Sequence, residues 1–194
     1  TIIQMLWVNI IMDTLGGLAF SGEAPLFYYM KEAPLRRGEN ILSPAMIHAI
    51  VFNGGYTLFL CGGFLVFPFA RRAFGFTTDT LTYLTCFFVL FIFCGIFNCF
   101  AVRSERLNPL AALSRNPRFA VIMAFIVTVQ MLMVYFGGEI FRTTPLPAVT
   151  LLRISGLAFT VVPFDFLRKI LYKLHRPKKK KPQPAPVIGH AGAA

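Results

Sequence analysis

The chain has 194 residues, 56% hydrophobic and only 14% charged, with a mean hydropathy of +0.66. Several windows of about 20 residues are nearly free of charge, the length a helix needs to cross roughly 30 Å of hydrocarbon, and this excludes an ordinary soluble domain. The formal charge of +11 does not indicate nucleic acid, because eight of the nineteen Lys and Arg residues follow position 167 and crowd one end of the chain.

The apolar runs do not alternate with polar residues, so the expected fold is an all-α membrane protein, a bundle of about five transmembrane helices, and not a barrel. The first residue is Thr1 and it leads straight into apolar residues without a basic leader, so the sequence is expected to be part of a longer protein. The first span is predicted over about residues 2–20. It holds Trp7-Val8-Asn9-Ile10-Ile11-Met12-Asp13-Thr14, in which one amide and one carboxylate stand four residues apart. On an α-helix, Asn9 and Asp13 would face the same way, one turn apart.

An Asp in the middle of a membrane span costs at least a few kcal/mol, which marks Asp13 as a functional candidate. Side-chain oxygens from Asn9 and Asp13 suit a hard cation. Calcium takes roughly six to eight oxygen ligands, so two cannot complete a site and the others must come from further helices.

Ser21-Gly22-Glu23-Ala24-Pro25 is expected to end the first span. A polar loop follows with Lys31, Arg36 and Arg37, and Ser43-Pro44 is predicted to cap the second span, over about 45–69. Gly54, Gly55, Gly62 and Gly63 line one side of that helix and are expected to let another backbone approach closely. Asn53 and Tyr56 are the polar side chains near that face. Arg71, Arg72 and Asp79 belong to the next connection.

The third span, about 80–102, is rich in Phe and has Asn98 as its one amide. Arg103, Glu105, Arg106, Arg115 and Arg118 fill a second polar stretch, with Asn108-Pro109 and Asn116-Pro117 as turn signals. The fourth span, about 119–136, contains Gln130, and Gly137-Gly138-Glu139 ends it. The fifth runs over about 148–171. Asp165 near its exit has Arg168 and Lys169 three and four residues on, the spacing of an interfacial ion pair. Cys61, Cys86, Cys94 and Cys99 all fall in apolar runs without a Cys-x-x-Cys pair and read as packing residues. The single histidines His48, His175 and His190 carry no signal of a site.

Five spans place the loops after the first and third, together with the tail, on one side. That side holds fifteen Lys and Arg against four on the other, Arg71, Arg72, Arg142 and Arg153. The positive-inside bias therefore puts the C-terminus in the cytoplasm. Arg176 and Lys178 through Lys181 make a Pro-rich polybasic tail, expected to be disordered over 176–194, whose partner is an anionic lipid surface.

Trp7 through Thr14 resembles the sixth transmembrane helix of P-type calcium-transporting ATPases, where Trp-Val-Asn-Leu-x-x-Asp recurs. Ser21-Gly22-Glu23-Ala24-Pro25 is similar to the Glu-Pro-Pro or Asn-Pro-Pro turn that follows it, and Val161 through Lys169 looks like the end of the tenth helix. The resemblance covers about residues 1–175 and implies helices six to ten of such a pump, with Asn9 and Asp13 as metal ligands for the transported calcium. It implies further ligands on the fourth and fifth helices, outside this sequence. Gly95 stands where two-site pumps carry a carboxylate in the eighth helix, which suggests a single-site pump of the plasma-membrane type.

The sequence lacks the Asp-Lys-Thr-Gly-Thr phosphorylation motif, the Thr-Gly-Glu actuator loop and a nucleotide domain. ATP and magnesium would belong to cytoplasmic domains outside it, and this piece alone would not hydrolyse ATP. The expected partners are helices one to five and the cytoplasmic domains of the same pump. Two other readings compete: a non-enzymatic polytopic membrane subunit, in which Asn9 and Asp13 only hydrogen-bond, and a small secondary cation transporter using Asp13.

Overall fold

The computed structural model describes residues 1–23, 42–74, 79–103, 113 and 116–175, apart from the side chains of Met12, Asp13, Ala45 and His175. The first span is continuous but not uniform: α1 (Ile2–Asn9) passes into a π-helical segment (Ile10–Gly16) and then α2 (Gly17–Ser21). After it come α3 (Pro44–Val66), α4 (Pro68–Ala73), α5 (Thr80–Val102), α6 (Pro117–Phe136), α7 (Gly138–Phe141), α8 (Ala148–Phe159) and α9 (Val161–His175). Among the described residues, five stretches are long and apolar enough to cross a membrane: Ile2–Ser21, Met46–Val66, Thr80–Val102, Pro117–Phe136 and Ala148–Leu174. The chain is a multi-pass, all-α membrane protein. The two polar loops and the basic tail expected from sequence lie mostly or wholly outside the described residues.

Helix starts follow from local chemistry, because the first backbone N–H groups of a helix need acceptors. Ser43 accepts from Met46 N at 3.2 Å, with Pro44 at the first helical position. Asp79 accepts from Leu81 N and Thr82 N, both at 3.1 Å, and Asn116 accepts from Phe119 N at 3.1 Å ahead of Pro117. Ends follow from proline and glycine. Pro68 forces Phe67 into an extended conformation, so α3 stops at Val66, three residues before the predicted boundary. The fourth span closes at Gly137 and Gly138, as expected. A Cβ on Gly137 would sit 2.2 Å from Met133 O, and Gly138 and Arg142 adopt the left-handed conformation.

The fifth span, predicted as one helix, breaks at Thr160 into α8 and α9. Pro163 explains the break, since its ring displaces the carbonyl four residues earlier, that of Phe159. The span also runs on to His175, past the expected end at 171.

α5 is the axis of the bundle and packs against α3, α6, α8 and α9. Its Cys86, Val89, Leu90, Ile92 and Cys94 are fully enclosed. Rings bind it to its neighbours: Phe64 stacks on Tyr83 at 4.9 Å, Phe100 meets Phe119 edge-on at 5.0 Å, and Phe97 meets Phe159 at 5.5 Å. Lipid is as apolar as these side chains, so close fit and interhelical hydrogen bonds carry the association. The four cysteines are free thiols, three of them buried.

Three expectations change. The glycine face of α3 does not receive another helix of this chain: a Cβ on Gly54, Gly55 or Gly62 would meet nothing within 4 Å among the described residues. The Asp165 ion pair is formed as the spacing predicts, but it is enclosed in the protein rather than exposed at its surface: Asp165, Arg168 and Lys169 are all buried between α9, α3 and α5. Asn53, marked only as a polar residue near a packing face, is part of it. Gln130 is fully buried on α6, and neither amide atom is hydrogen-bonded among the described residues.

Candidate functional site

The candidate ligands sit where the first span changes its winding. Asn9 is the last residue of α1, and Asp13 lies inside the π-helical segment Ile10–Gly16. In a π-helix each hydrogen bond reaches one residue further than in an α-helix, a rare geometry that is frequent at functional sites. The sequence reading set Asn9 and Asp13 one α-helical turn apart. In the wider winding, a turn takes more than four residues, so the backbone at Asp13 comes round just short of Asn9 instead of just past it.

Packing divides this span into two faces. Trp7, Ile11, Leu15 and Ala19 recur every four residues and pack into the core, with Ile11 1% exposed and Ala19 wholly enclosed. Ile11 and Gly16 lie against Ile96, Cys99, Met123 and Ile126 of α5 and α6. Asn9, two residues from both Trp7 and Ile11, falls on the other side and is exposed, as are Met5, Leu6 and Ile10. The Asn9 side chain makes no hydrogen bond among the described residues. Its amide is therefore available to a group outside this bundle.

The span is anchored at both ends. Near its start, Gln4 Nε2 donates to Phe141 O at 2.8 Å. Just past its other end, Glu23 Oε1 lies 3.1 Å from Arg103 Nε, with the Arg103 side chain 1% exposed and that of Glu23 29%. Asn116 Nδ2 donates to the same Glu23 oxygen at 3.2 Å and to Ala19 O at 3.3 Å, while its Oδ1 caps α6. Arg103 also lies over the Phe119 ring, 5.0 Å from its centre. In the sequence, Glu23 reads as part of a turn, Arg103 as a loop cation and Asn116 as a turn signal. Only the Asn116-Pro117 capping pattern could have flagged this cluster in advance.

Among the described residues, no three His, Cys, Asp or Glu side chains converge as a metal site. The arrangement leaves Asn9 on the unpacked face of a span held at each end. The other polar groups of the bundle core are engaged elsewhere or, as with Gln130, enclosed.

Residues 1–171 match the family described as "Cation transporting ATPase, C-terminus". Relatives include "Probable calcium-transporting ATPase 6, plasma membrane-type" of Oryza sativa subsp. japonica, 36% identical over 147 residues, 75% of this chain and 14% of that protein. "Calcium-transporting ATPase 5, plasma membrane-type" of the same organism is 32% identical over 182 residues, 90% of this chain and 16% of its own length. "Calcium-transporting ATPase 2, plasma membrane-type" of Arabidopsis thaliana is 33% identical over 149 residues, 75% of this chain and 14% of that protein. The chain thus spans less than a fifth of the length of these relatives. With its five apolar spans in order and the family match running from Thr1 to Leu171, the chain belongs to the family of cation-transporting ATPase C-termini.

Proposed function

We propose that this chain is the C-terminal membrane part of an ATP-driven calcium pump of the plasma-membrane type, and that Asn9 and Asp13 supply side-chain oxygens to the transported ion. The observation that carries the reading is the divided first span: Trp7, Ile11, Leu15 and Ala19 pack inward, while Asn9 stands on the open face beside a π-helical turn that contains Asp13. Calcium needs roughly six to eight oxygens. The remaining ones come, on this reading, from the pump's helices four and five, which lie against the open face and complete the site.

The chain carries no phosphorylation motif and no nucleotide domain. ATP and magnesium are then bound by cytoplasmic domains of the same pump, and the chain alone does not hydrolyse ATP. Residues 1–175 form its C-terminal transmembrane domain. The basic tail, 176–194, is on the cytoplasmic side, in keeping with fifteen Lys and Arg on that side against four on the other. There it meets anionic lipid.

The test is Asp13→Asn in the full-length pump. We expect calcium-dependent phosphorylation by ATP to be lost, while phosphorylation by inorganic phosphate survives. Retention of normal calcium dependence in that variant would remove Asp13 from the ligand set.

A further inference from the structure

We infer that Glu23, Arg103 and Asn116 form a clamp that positions the candidate ion helix, and that they set calcium affinity without touching the ion. The inference rests on the proposed role of Asn9 and Asp13. Glu23 follows Asp13 by ten residues, roughly 15 Å along a helix axis, too far for direct ligation.

Three spans meet at this point through few atoms. Glu23 lies two residues beyond Ser21, the last helical residue of the first span, Arg103 follows the last residue of α5, and Asn116 precedes α6. Asn116 alone does three things: it caps α6, occupies the Ala19 carbonyl in the last turn of the first span, and holds the Glu23 carboxylate. Its approach needs a small residue opposite. A Cβ on Gly22 would lie 3.1 Å from Asn116 Oδ1, closer than a side chain normally comes. Aromatic packing reinforces the joint, since Phe119 meets Phe20 at 5.6 Å and Phe100 at 5.0 Å.

Energetics favour a geometric role over a stabilising one. Burying the Arg103 guanidinium costs desolvation that its attraction to Glu23 only about repays, so an apolar pair would hold the helices together as well. What an apolar pair lacks is direction. Polar contacts at 3.1 to 3.3 Å fix the axial register of the first span, through Arg103 against the end of α5 and through Asn116 against the start of α6. At the other end Gln4 is tied to Phe141 O in α7, directly beyond α6. The span is thus referenced at both ends to the same neighbour, and the depth of the π-helical segment between the anchors is set by them.

The experiment uses the full-length pump containing this chain. Glu23→Gln keeps the shape and one acceptor but removes the charge; Asn116→Ser keeps a capping hydroxyl for α6 but withdraws the reach to Glu23 and Ala19. Both are mild enough to fold, and thermal inactivation is recorded alongside as the readout of purely structural damage. We expect each to raise the calcium concentration that half-saturates phosphorylation by roughly 2- to 30-fold, the range in which residues that touch neither site modulate coupling. Phosphorylation by inorganic phosphate should remain. Combining the two should add little to either alone, because both release the same joint.

Wild-type calcium dependence in both variants, with or without a shift in thermal inactivation, would overturn the clamp. Asp13→Asn is run in parallel. Normal calcium dependence there defeats the ligand reading itself, whereas a defective Asp13→Asn beside normal clamp variants defeats only the positioning role.

Discussion

Asn53 Nδ2 donates to Asp165 Oδ1 across 2.8 Å, joining two helices 112 positions apart in the chain. The carboxylate is 1% exposed and accepts from every side. Arg168 reaches Oδ1 through Nε and Nη2, each at 2.8 Å, and Lys169 Nζ reaches Oδ2 at 2.7 Å. Lys169 also donates to Ala101 O at 2.6 Å, so one buried knot ties α9 to both α3 and α5. Nearby, Tyr56 donates to Thr160 Oγ1 at 2.8 Å and stacks on Phe164 at 4.0 Å, closing the seam between α3 and α9.

Removing the centre of that knot leaves two buried cations without their counter-charge. Losing one partner of a buried pair costs about 3 to 5 kcal/mol, whereas replacing a whole buried set by apolar residues is often neutral. We therefore predict that Asp165→Asn lowers the melting temperature of the detergent-solubilised chain by roughly 10 °C. The triple variant Asp165→Asn, Arg168→Met, Lys169→Met should recover most of the loss. An Asp165→Asn protein that melts with the wild type would show that the carboxylate does not hold the helices together.

Much of this architecture is legible along the chain because proline, glycine and capping residues punctuate the apolar runs. Ser43-Pro44 marks the start of α3, and Gly137-Gly138 the end of α6. What the sequence does not disclose is anything carried between distant positions. The i,i+3 and i,i+4 spacing of Asp165 with Arg168 and Lys169 is visible, but Asn53 and Ala101 join them only through folding. The π-helical winding at Ile10–Gly16 is equally hidden, since its apolar residues keep the four-residue spacing that an α-helix also uses. The glycines of α3 are a different case. Small residues in a row announce a close approach, yet the described part of this chain brings nothing to Gly54, Gly55 or Gly62. Asn9 and Asp13 stand out by residue type, by their four-residue spacing and by the motif that Trp7 through Thr14 resembles, and the structure adds the open face on which Asn9 stands.

Asp79 gives a prediction that pH can test. Its carboxylate caps α5, and the hydroxyl and backbone N–H of Thr82, followed by the N–H of Leu81, hold its pKa below the ordinary 3.8. A depressed native pKa means that the charged form is favoured by folding. The stabilisation is complete above the unfolded-state value near 3.8 and is lost as pH falls through the lower native value. Asp79→Asn keeps an oxygen acceptor for the helix N-terminus but cannot titrate. The wild-type chain should lose more thermal stability than Asp79→Asn between about pH 5 and about pH 3. Parallel loss in the two proteins would show that the Asp79 cap makes no contribution to acid sensitivity.

The tail offers the last prediction. Lys178, Lys179, Lys180 and Lys181 form an uninterrupted run after Arg176, and the proposed topology puts them beside the inner leaflet. Each Lys near an anionic membrane surface contributes roughly 1 kcal/mol, and the attraction falls off within a Debye length of about 10 Å at 0.1 M salt. A synthetic peptide of residues 176–194 should therefore bind vesicles containing phosphatidylserine in low salt and release them as salt rises. Changing all four lysines to Gln should weaken that binding by about three orders of magnitude, as roughly 4 kcal/mol implies. Vesicles of neutral lipid should bind neither peptide. Equal binding of both peptides to the anionic vesicles would mean that the lysine run does not read membrane charge, and the proposed contact between tail and lipid would fall.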